Sequence, residues 1–400
     1  MVIHGTGCCL IDFLYAGEDF SSPAFRACCS RKAGDGGLNP GALVFAEDFE
    51  RFTGRPYEEA LASLTGGKNP DSHNLGGPSA VSLAHAAQVL GRGHGVSFFG
   101  VRGGDKTGLL VEEALSRLPF AECKLLLKEG PTPRTDVLSD PSFDNGHGER
   151  TFINLLGAAA GFSPEDLAPS FFDAHLIAFG GTSLVPRIHG DLTVLLKRAR
   201  KNGAVTAVNL VYDYRSEQKR GTEKWRLGSR DDAYRYIDIL IAGREEALKT
   251  SGRPTLPEAA DWFISRGAGA AVISDGARPV FLAAGKGLFL PLEGQTMDVC
   301  EAVNRDLAQF PERRGDTTGC GDNFAGGIIA GMAEQMAAAK PGRLDLREAC
   351  VPGIAAGGFA CFTLGGTFYE SRPGEKRELL KPYIDEYRKQ YRTNLTVTRK

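Results

Sequence analysis

The 400-residue sequence predicts an α/β fold in which a mainly parallel central sheet is sandwiched by helices, with a small β-rich part beside it. Three observations predict it. Short apolar runs alternate with segments of helical periodicity along most of the chain. Glycines stand just after several of those helical segments, at Gly91, Gly203, Gly252 and Gly267, where C-caps belong. Two stretches, 13–74 and 122–155, break the alternation, which leaves 1–12, 75–121 and 156–400 for the main domain.

Taken in order, the apolar runs at 3–9, 96–99, 176–179, 205–210, 237–241 and 270–273 read as strands buried on both faces. Helical patterns lie between them at 79–90, 107–118, 187–201, 245–250 and 257–266. Parallel strands need such crossovers, and ligands then sit at the carboxyl ends of the strands. The first excursion contains a strand at 43–46 and a helix at 57–64. The second reads as antiparallel strands at 124–128, 135–138 and 150–155, with Asp144-Asn145-Gly146 as a turn. After Gly374 a basic, tyrosine-bearing segment reads as an amphipathic surface helix without chemistry.

Composition excludes several functions. Lys and Arg number 47 against 49 Asp and Glu, so the chain lacks the charge footprint of a nucleic-acid binder. No segment reaches the ~18 apolar residues of a membrane span. The short apolar run at the N-terminus has no basic leader and is interrupted at Asp12, so a cytoplasmic protein is expected. Nine cysteines without a Cys-x-x-Cys indicate neither a disulfide framework nor a zinc site. Gly5-Thr6-Gly7 follows a strand, but the third glycine of a dinucleotide fingerprint falls on Leu10.

Residues 315–327, Gly-Asp-Thr-Thr-Gly-Cys-Gly-Asp-Asn-Phe-Ala-Gly-Gly, are the most informative. They place a glycine turn at the mouth of an apolar helix, where the amides of Gly319, Cys320 and Gly321 and the helix dipole make an anion seat. Asp322 adds a carboxylate beside that seat, which suits a base that takes a proton from a hydroxyl. A glycine loop capping a helix, with Asp322 set against the dipole, explains the same residues without chemistry. A chance match to the six fixed positions is on the order of 10⁻⁴ for the chain.

This stretch resembles the C-terminal signature of the ribokinase-like (pfkB) carbohydrate and nucleoside kinases, Asp-Thr-x-Gly-Ala-Gly-Asp before an apolar helix. The resemblance implies that Asp322 is the general base and that the amides of Gly319, Cys320 and Gly321 form the anion hole. Cys320 stands where alanine is usual. A thiol at a helix N-terminus is open to a lowered pKa and to oxidation, although an inert packed cysteine is the plainer reading.

Other segments follow in the family's order, from about residue 3 to about 366. Asp12 matches the aspartate that grips sugar hydroxyls, and a carboxylate accepts two such bonds at once. Gly76 and Gly77 match the glycine pair that lets backbone approach the acceptor, although Val81 replaces a frequent asparagine. Asp105, in Gly100-x-x-Gly103-x-Asp105-x-x-Gly108, reads as a helix N-cap. Glu149-Arg150-Thr151 with Asn154 resembles the lid strand and leans the match toward the adenosine-kinase-like branch. Glu246 matches a glutamate that organises magnesium through water, with Gly243 in place of asparagine. Ser274 and Gly276, with Thr318, fall where the family binds nucleotide. Asn209 and Asp213 both lie where it has an Asp-x-Asn element, and the sequence leaves that choice open.

The resemblance implies an ATP-dependent kinase with Mg²⁺, and in some relatives a monovalent cation, that phosphorylates a hydroxyl of a sugar or nucleoside. The two excursions become a lid, which in relatives often serves as a dimer surface. Val81 and Gly243 motivate a rival from another class, a non-catalytic sugar- or nucleoside-binding protein of the same fold. A third reading, a sugar-phosphate kinase, would use the basic residues in 215–230; Arg313 and Arg314 lie close enough before the signature to be weighed as phosphate contacts.

Overall fold

A computed structural model describes residues 1–32, 34–146, 148–220, 224–338 and 342–397. Its strands in chain order begin with β1 (Val2–Gly7), β2 (Leu10–Ala16), β3 (Leu43–Phe45), β4 (Ser72–Gly76), β5 (Gly95–Arg102), β6 (Glu122–Leu127) and β7 (Arg134–Asp140). They continue with β8 (Glu149–Leu155), β9 (Leu176–Gly180), β10 (Val205–Asn209), β11 (Ile239–Gly243), β12 (Ala270–Asp275), β13 (Arg278–Ala284) and β14 (Leu292–Met297). The large sheet has the order β14-β13-β12-β11-β10-β9-β1-β5-β6, and the small one β3-β8-β7-β2-β4.

From β6 to β12 the large sheet is parallel, and β13 and β14 close one edge as antiparallel strands. Apolar β9, β11 and β12 are buried along most of their length, as strands covered on both faces require. The chain builds outward from β1 through β5 to β6, then in the other direction through β9 to β12. The strand order therefore reverses between β1 and β9, where a ligand crevice opens at the carboxyl ends.

Three readings of the sequence change here. The apolar run 3–9 is not one strand that ends near Asp12. It stops at Gly7, whose φ of +135° and contact with the Gly180 carbonyl leave no room for a side chain, and the chain crosses into β2 of the small sheet. Residues 124–128 do not join the antiparallel group; β6 pairs parallel with β5 at the edge of the large sheet. The segment 187–201 is two helices, Pro186–Gly190 and Leu192–Lys201, broken at Asp191.

Caps and turns match the expectation in part. Gly252 caps its helix in the left-handed region, and Gly203 and Gly267 also have positive φ. Gly91 does not cap, because the helix before it ends on an extended Leu90. The Asp144 turn is one helical turn, Phe143–Gly146. Of the basic stretch at 215–230, residues 221–223 lie outside the described residues.

In the small sheet β7 is antiparallel to β8 and β2 to β4, whereas β2 and β7 run parallel. Tyr15, Leu138 and Ile153 share a buried cluster with Phe49, Tyr57 and Leu61 from the helices Ala46–Thr53 and Tyr57–Thr65. The Tyr57 hydroxyl donates to Asp136, which also accepts from Arg134 at 3.1 Å. Helices of this chain therefore cover one face of the small sheet, and the other carries Asp12. Among the described residues no helix is long and apolar enough to cross a membrane.

The signature helix, Cys320–Ala337, packs closely on Leu346–Phe359 through glycines. A Cβ on Gly327 would lie 2.7 Å from Gly353 Cα, and one on Gly353 2.8 Å from the Phe324 carbonyl. Gly327→Val should therefore cost ~1–3 kcal/mol or more in urea unfolding. Gly190→Ala, where a Cβ would meet nothing within 4 Å, should be neutral or stabilising.

Candidate active site

The helix Cys320–Ala337 starts from Gly319, whose φ of +73° turns the chain and whose Cα side presses on Gly366, 2.4 Å from where a Cβ would stand. Only glycine satisfies both conditions. Within the turn the Thr318 N–H donates to Asp316 at 2.8 Å, and the Cys320 N–H to the Thr317 carbonyl at 3.3 Å. Cys320 is thus less free than the sequence implied. The N–H groups of Gly319, Gly321 and Asp322 find no acceptor among the described residues, and a Cβ on Gly321 would meet open space. These are the unspent donors of a helix mouth.

The turn is held from behind by a residue the sequence reading passed over. Asn323 donates through Nδ2 to the carbonyls of Gly319 and Gly366, at 2.9 and 2.8 Å. Its Oδ1 faces Lys376 Nζ and His85 Nδ1, each at 2.9 Å. Lys376 belongs to the C-terminal helix Glu375–Val397, so the segment read as surface dressing reaches the back of the site. Burial pushes its ammonium down to about 7.

Asp322 stands on the third residue of the helix, half-buried at the crevice. Burial, with the charge of Glu246, pushes its carboxyl up to about 7, and a hydrogen bond from Asn209 works the other way. Asn209 is the last residue of β10, and of the two residues weighed from the sequence it is the one that meets Asp322. Asp213 instead caps the helix Tyr214–Arg220, accepting from Ser216 N at 3.0 Å and Ser216 Oγ at 2.6 Å.

Asp12 lies mid-strand on β2, with Asn74 opposite it on β4 and Thr135 opposite it on β7. Its Oδ2 occupies the space over Gly76, 2.1 Å from where a Cβ would be. Burial raises its carboxyl to about 7; Thr135 and Arg150 lower it, and Asp322 and Asp316 raise it. Asn154 donates to Thr135 at 3.0 Å, while the side-chain oxygens of Asn154 and Asn74 are buried without a partner. Buried polar atoms of that kind await a donor. Gly77 is pressed against the Cys8 carbonyl, and that carbonyl also accepts the N–H groups of Ser79 and Ala80 at 3.2 and 3.3 Å. The first amides of the helix Pro78–Val89 are therefore already spent.

Arg150, on β8, reaches from the small sheet to the signature. It donates to the hydroxyls of Thr318 and, at 2.7 Å, Thr317, and lies 3.4 Å from Asp316. Thr318 thus faces Arg150, and Thr317, which Arg150 also reaches, lines a cavity of about 350 Å³ together with Ser274, Gly276, Cys320 and Gly321. Val280, Val299, Val303 and Ile354 supply its apolar walls. Arg313 lies over the Phe362 ring at 4.9 Å. Asp105 caps its helix as read, accepting from Gly108 N at 2.9 Å.

Glu246 folds back over Gly243, where a Cβ would lie 2.3 Å from its Oε2. Burial raises its carboxyl and a bond from the Gly243 backbone lowers it. Among the described residues no group of three or more His, Cys, Asp or Glu is placed to hold a metal ion. Val81 is buried and packs 3.1 Å from where a Cβ of Gly366 would be. The Cys320 thiol is pushed up rather than lowered, first by its contact with the Cys361 thiol.

A parallel sheet flanked by helices, a small sheet facing it and a glycine turn at a helix mouth define a ribokinase-like α/β protein. Residues 68–371 match the family model described as pfkB family carbohydrate kinase, and the chain belongs to that family. The fold is similar to that of adenosine kinase from Schistosoma mansoni in complex with 2-fluoroadenosine, with TM-score 0.68, 18% identity and coverage of 92% of this chain and 97% of that one. Adenosine kinase from Sinorhizobium meliloti is similar at TM-score 0.67 and 20% identity, over 94% and 98% of the two chains. A probable sugar kinase from Rhizobium etli gives 0.66 and 18%, over 95% and 98%.

The raised carboxyls of Asp12 and Asp322 have a signed consequence. Their folded values near 7 exceed the unfolded ~4, so the stability they contribute falls as pH rises between those limits. Asp322→Asn and Asp12→Asn should each raise Tm by about 2–5 °C at pH 8, and the gain should shrink toward pH 5 in a thermal-melt series.

Proposed function

We propose that the chain is an ATP-dependent kinase that transfers the γ-phosphoryl group to a hydroxyl of a sugar or nucleoside. One observation carries this reading: Asp322 stands beside the unspent amides of a helix mouth, in the same crevice as Asp12. An anion seat and a base with a pKa near neutrality, side by side, suit phosphoryl transfer to an alcohol. Several similar solved structures are adenosine kinases, which supports a nucleoside acceptor, and the probable sugar kinase keeps a sugar in view.

Asp12 accepts two hydroxyls of the acceptor, and the free oxygens of Asn74 and Asn154 take further donors beside it. Asp322 receives the proton of the attacking hydroxyl. General-base help of this kind is worth about 10²–10⁴ in rate. The Gly319 and Gly321 amides meet charge spreading over the phosphoryl oxygens, and Arg150 brings a guanidinium to the same place from the small sheet. The apolar side chains of the cavity, Val280 and Val303 among them, take the nucleobase and shield it from water.

Half-buried Glu246 raises the Asp322 carboxyl, and its own carboxylate oxygens fit Mg²⁺ held by Glu246 through water. When bound, the ion neutralises phosphate charge. The two departures behind the non-catalytic rival have packing explanations. Val81 fills the space behind Gly366, and Gly243 makes room for Glu246.

Asp322→Asn should retain ADP binding and lose at least ~10² in kcat in a coupled ADP-release assay over sugars and nucleosides. Near wild-type turnover would remove the base assignment. In the wild type, kcat should decline as pH drops below about 7, where Asp322 becomes protonated. Asp12→Ala should raise the acceptor KM at least ~10-fold more than the ATP KM; equal effects on both substrates would contradict an acceptor-gripping role.

A further inference from the structure

We propose that Cys320 and Cys361 form an oxidisable dithiol at the rim of the nucleotide-side cavity, which a hydroperoxide converts to a disulfide that closes the cavity to nucleotide. The nucleotide consequence rests on the kinase reading; the dithiol itself does not.

The two Sγ atoms are 3.5 Å apart although 41 residues separate them in sequence. Among the described residues no other pair of thiols lies within hydrogen-bond reach. Both side chains are partly exposed and both line the cavity that holds Ser274, Gly276 and Thr317. Cys8, Cys9, Cys28, Cys300 and Cys350, by contrast, are buried.

The backbones that carry the pair are already joined. Gly315 N donates to the Cys361 carbonyl at 2.8 Å, and Asp316 N to the Thr363 carbonyl at 2.9 Å. Gly357, one turn before Cys361, lies against the Cys320 carbonyl, 3.3 Å from where a Cβ would stand. Bond formation therefore needs the sulfurs to approach by ~1.5 Å, a side-chain movement more than a refolding.

The two thiols are unequal. Its contact with Cys320 and the Arg314 guanidinium lower the Cys361 thiol against the cost of burial, while that contact, burial and the Asp316 and Asp322 carboxylates hold Cys320 high. Cys361 is then the first nucleophile. Its thiolate attacks a peroxide oxygen, the O–O bond breaks, and the alcohol or water leaves with a sulfenic acid on sulfur. The Cys320 sulfur attacks that sulfenic sulfur, the S–O bond breaks and water leaves. Two thiols lose two electrons and two protons, and one hydroperoxide becomes an alcohol and water. The new bond draws Cys320 toward Cys361 and pulls on the turn that presents the Gly319 and Gly321 amides.

The test treats reduced full-length protein with hydrogen peroxide, alkylates the remaining thiols and maps peptides by mass spectrometry. ADP binding is measured by calorimetry in parallel. A Cys320–Cys361 cross-link is expected, with at least ~10-fold weaker ADP binding, both reversed by dithiothreitol, and slower cross-linking when Mg-ADP is bound. Cys361→Ser and Cys320→Ala should each abolish the cross-link and the peroxide-dependent loss, judged as the ratio of oxidised to reduced affinity within each variant. Full alkylation of both thiols after peroxide overturns the proposal. So does a loss of binding that persists in Cys361→Ser, or a cross-link that leaves ADP affinity unchanged. A reduced protein that binds no nucleotide overturns the kinase reading instead, and the cross-linked peptide still decides the dithiol.

Discussion

The side-chain amide of Asn323 is the interaction on which the site depends. Its two N–H groups hold the carbonyls of Gly319 and Gly366, and its oxygen faces His85 and Lys376. That uses the full capacity of the group in a buried place, where an unmade bond would be costly. Four parts of the chain meet there: the signature turn, the Gly365-Gly366 segment, the helix Pro78–Val89 and the C-terminal helix. Glycines at 319 and 366 allow the close approach, and the amide fixes it. The turn can leave its amides unspent because its own carbonyl is held.

The crevice in front of this anchor is built around uncompensated negative charge. Asp12 comes from β2, Asp316 and Asp322 both come from the signature, and Arg150 touches only Asp316 directly. Burial raises two of these carboxyls to about 7, helped at Asp12 by the charges of Asp322 and Asp316 and at Asp322 by that of Glu246. Such an arrangement costs stability and suits groups that exchange protons or grip hydroxyls. A surface charge cluster selected only for solubility would not be desolvated in this way.

Local chemistry was legible in the sequence, and long-range pairing was not. The turn at 315–322 could be read because glycine positions and a helix start are set within a few residues. The N-cap at Asp105 was legible for the same reason. Asp12 was picked out, but its strand was misassigned, because the break at Gly7 is imposed by Gly180, far away in sequence. An apolar run such as 124–128 looks the same at the edge of a parallel sheet as in a hairpin, so β6 was placed in the wrong sheet. β4, with the sequence Ser-His-Asn-Leu-Gly, has too little alternation to announce a strand. Arg150 was noted only as part of a resemblance. Nothing near Asn323 or Lys376 signals that they meet.

The reach of the C-terminal helix changes where this protein can be cut. Family similarity ends at residue 371, five residues short of Lys376. A fragment trimmed to the recognisable boundary would discard the amine behind the signature turn, leave the Gln88 oxygen without that donor and leave His85 alone facing the Asn323 oxygen. The structural unit behind the signature turn is therefore longer than the family match, and its final helix belongs to the scaffold of the candidate site.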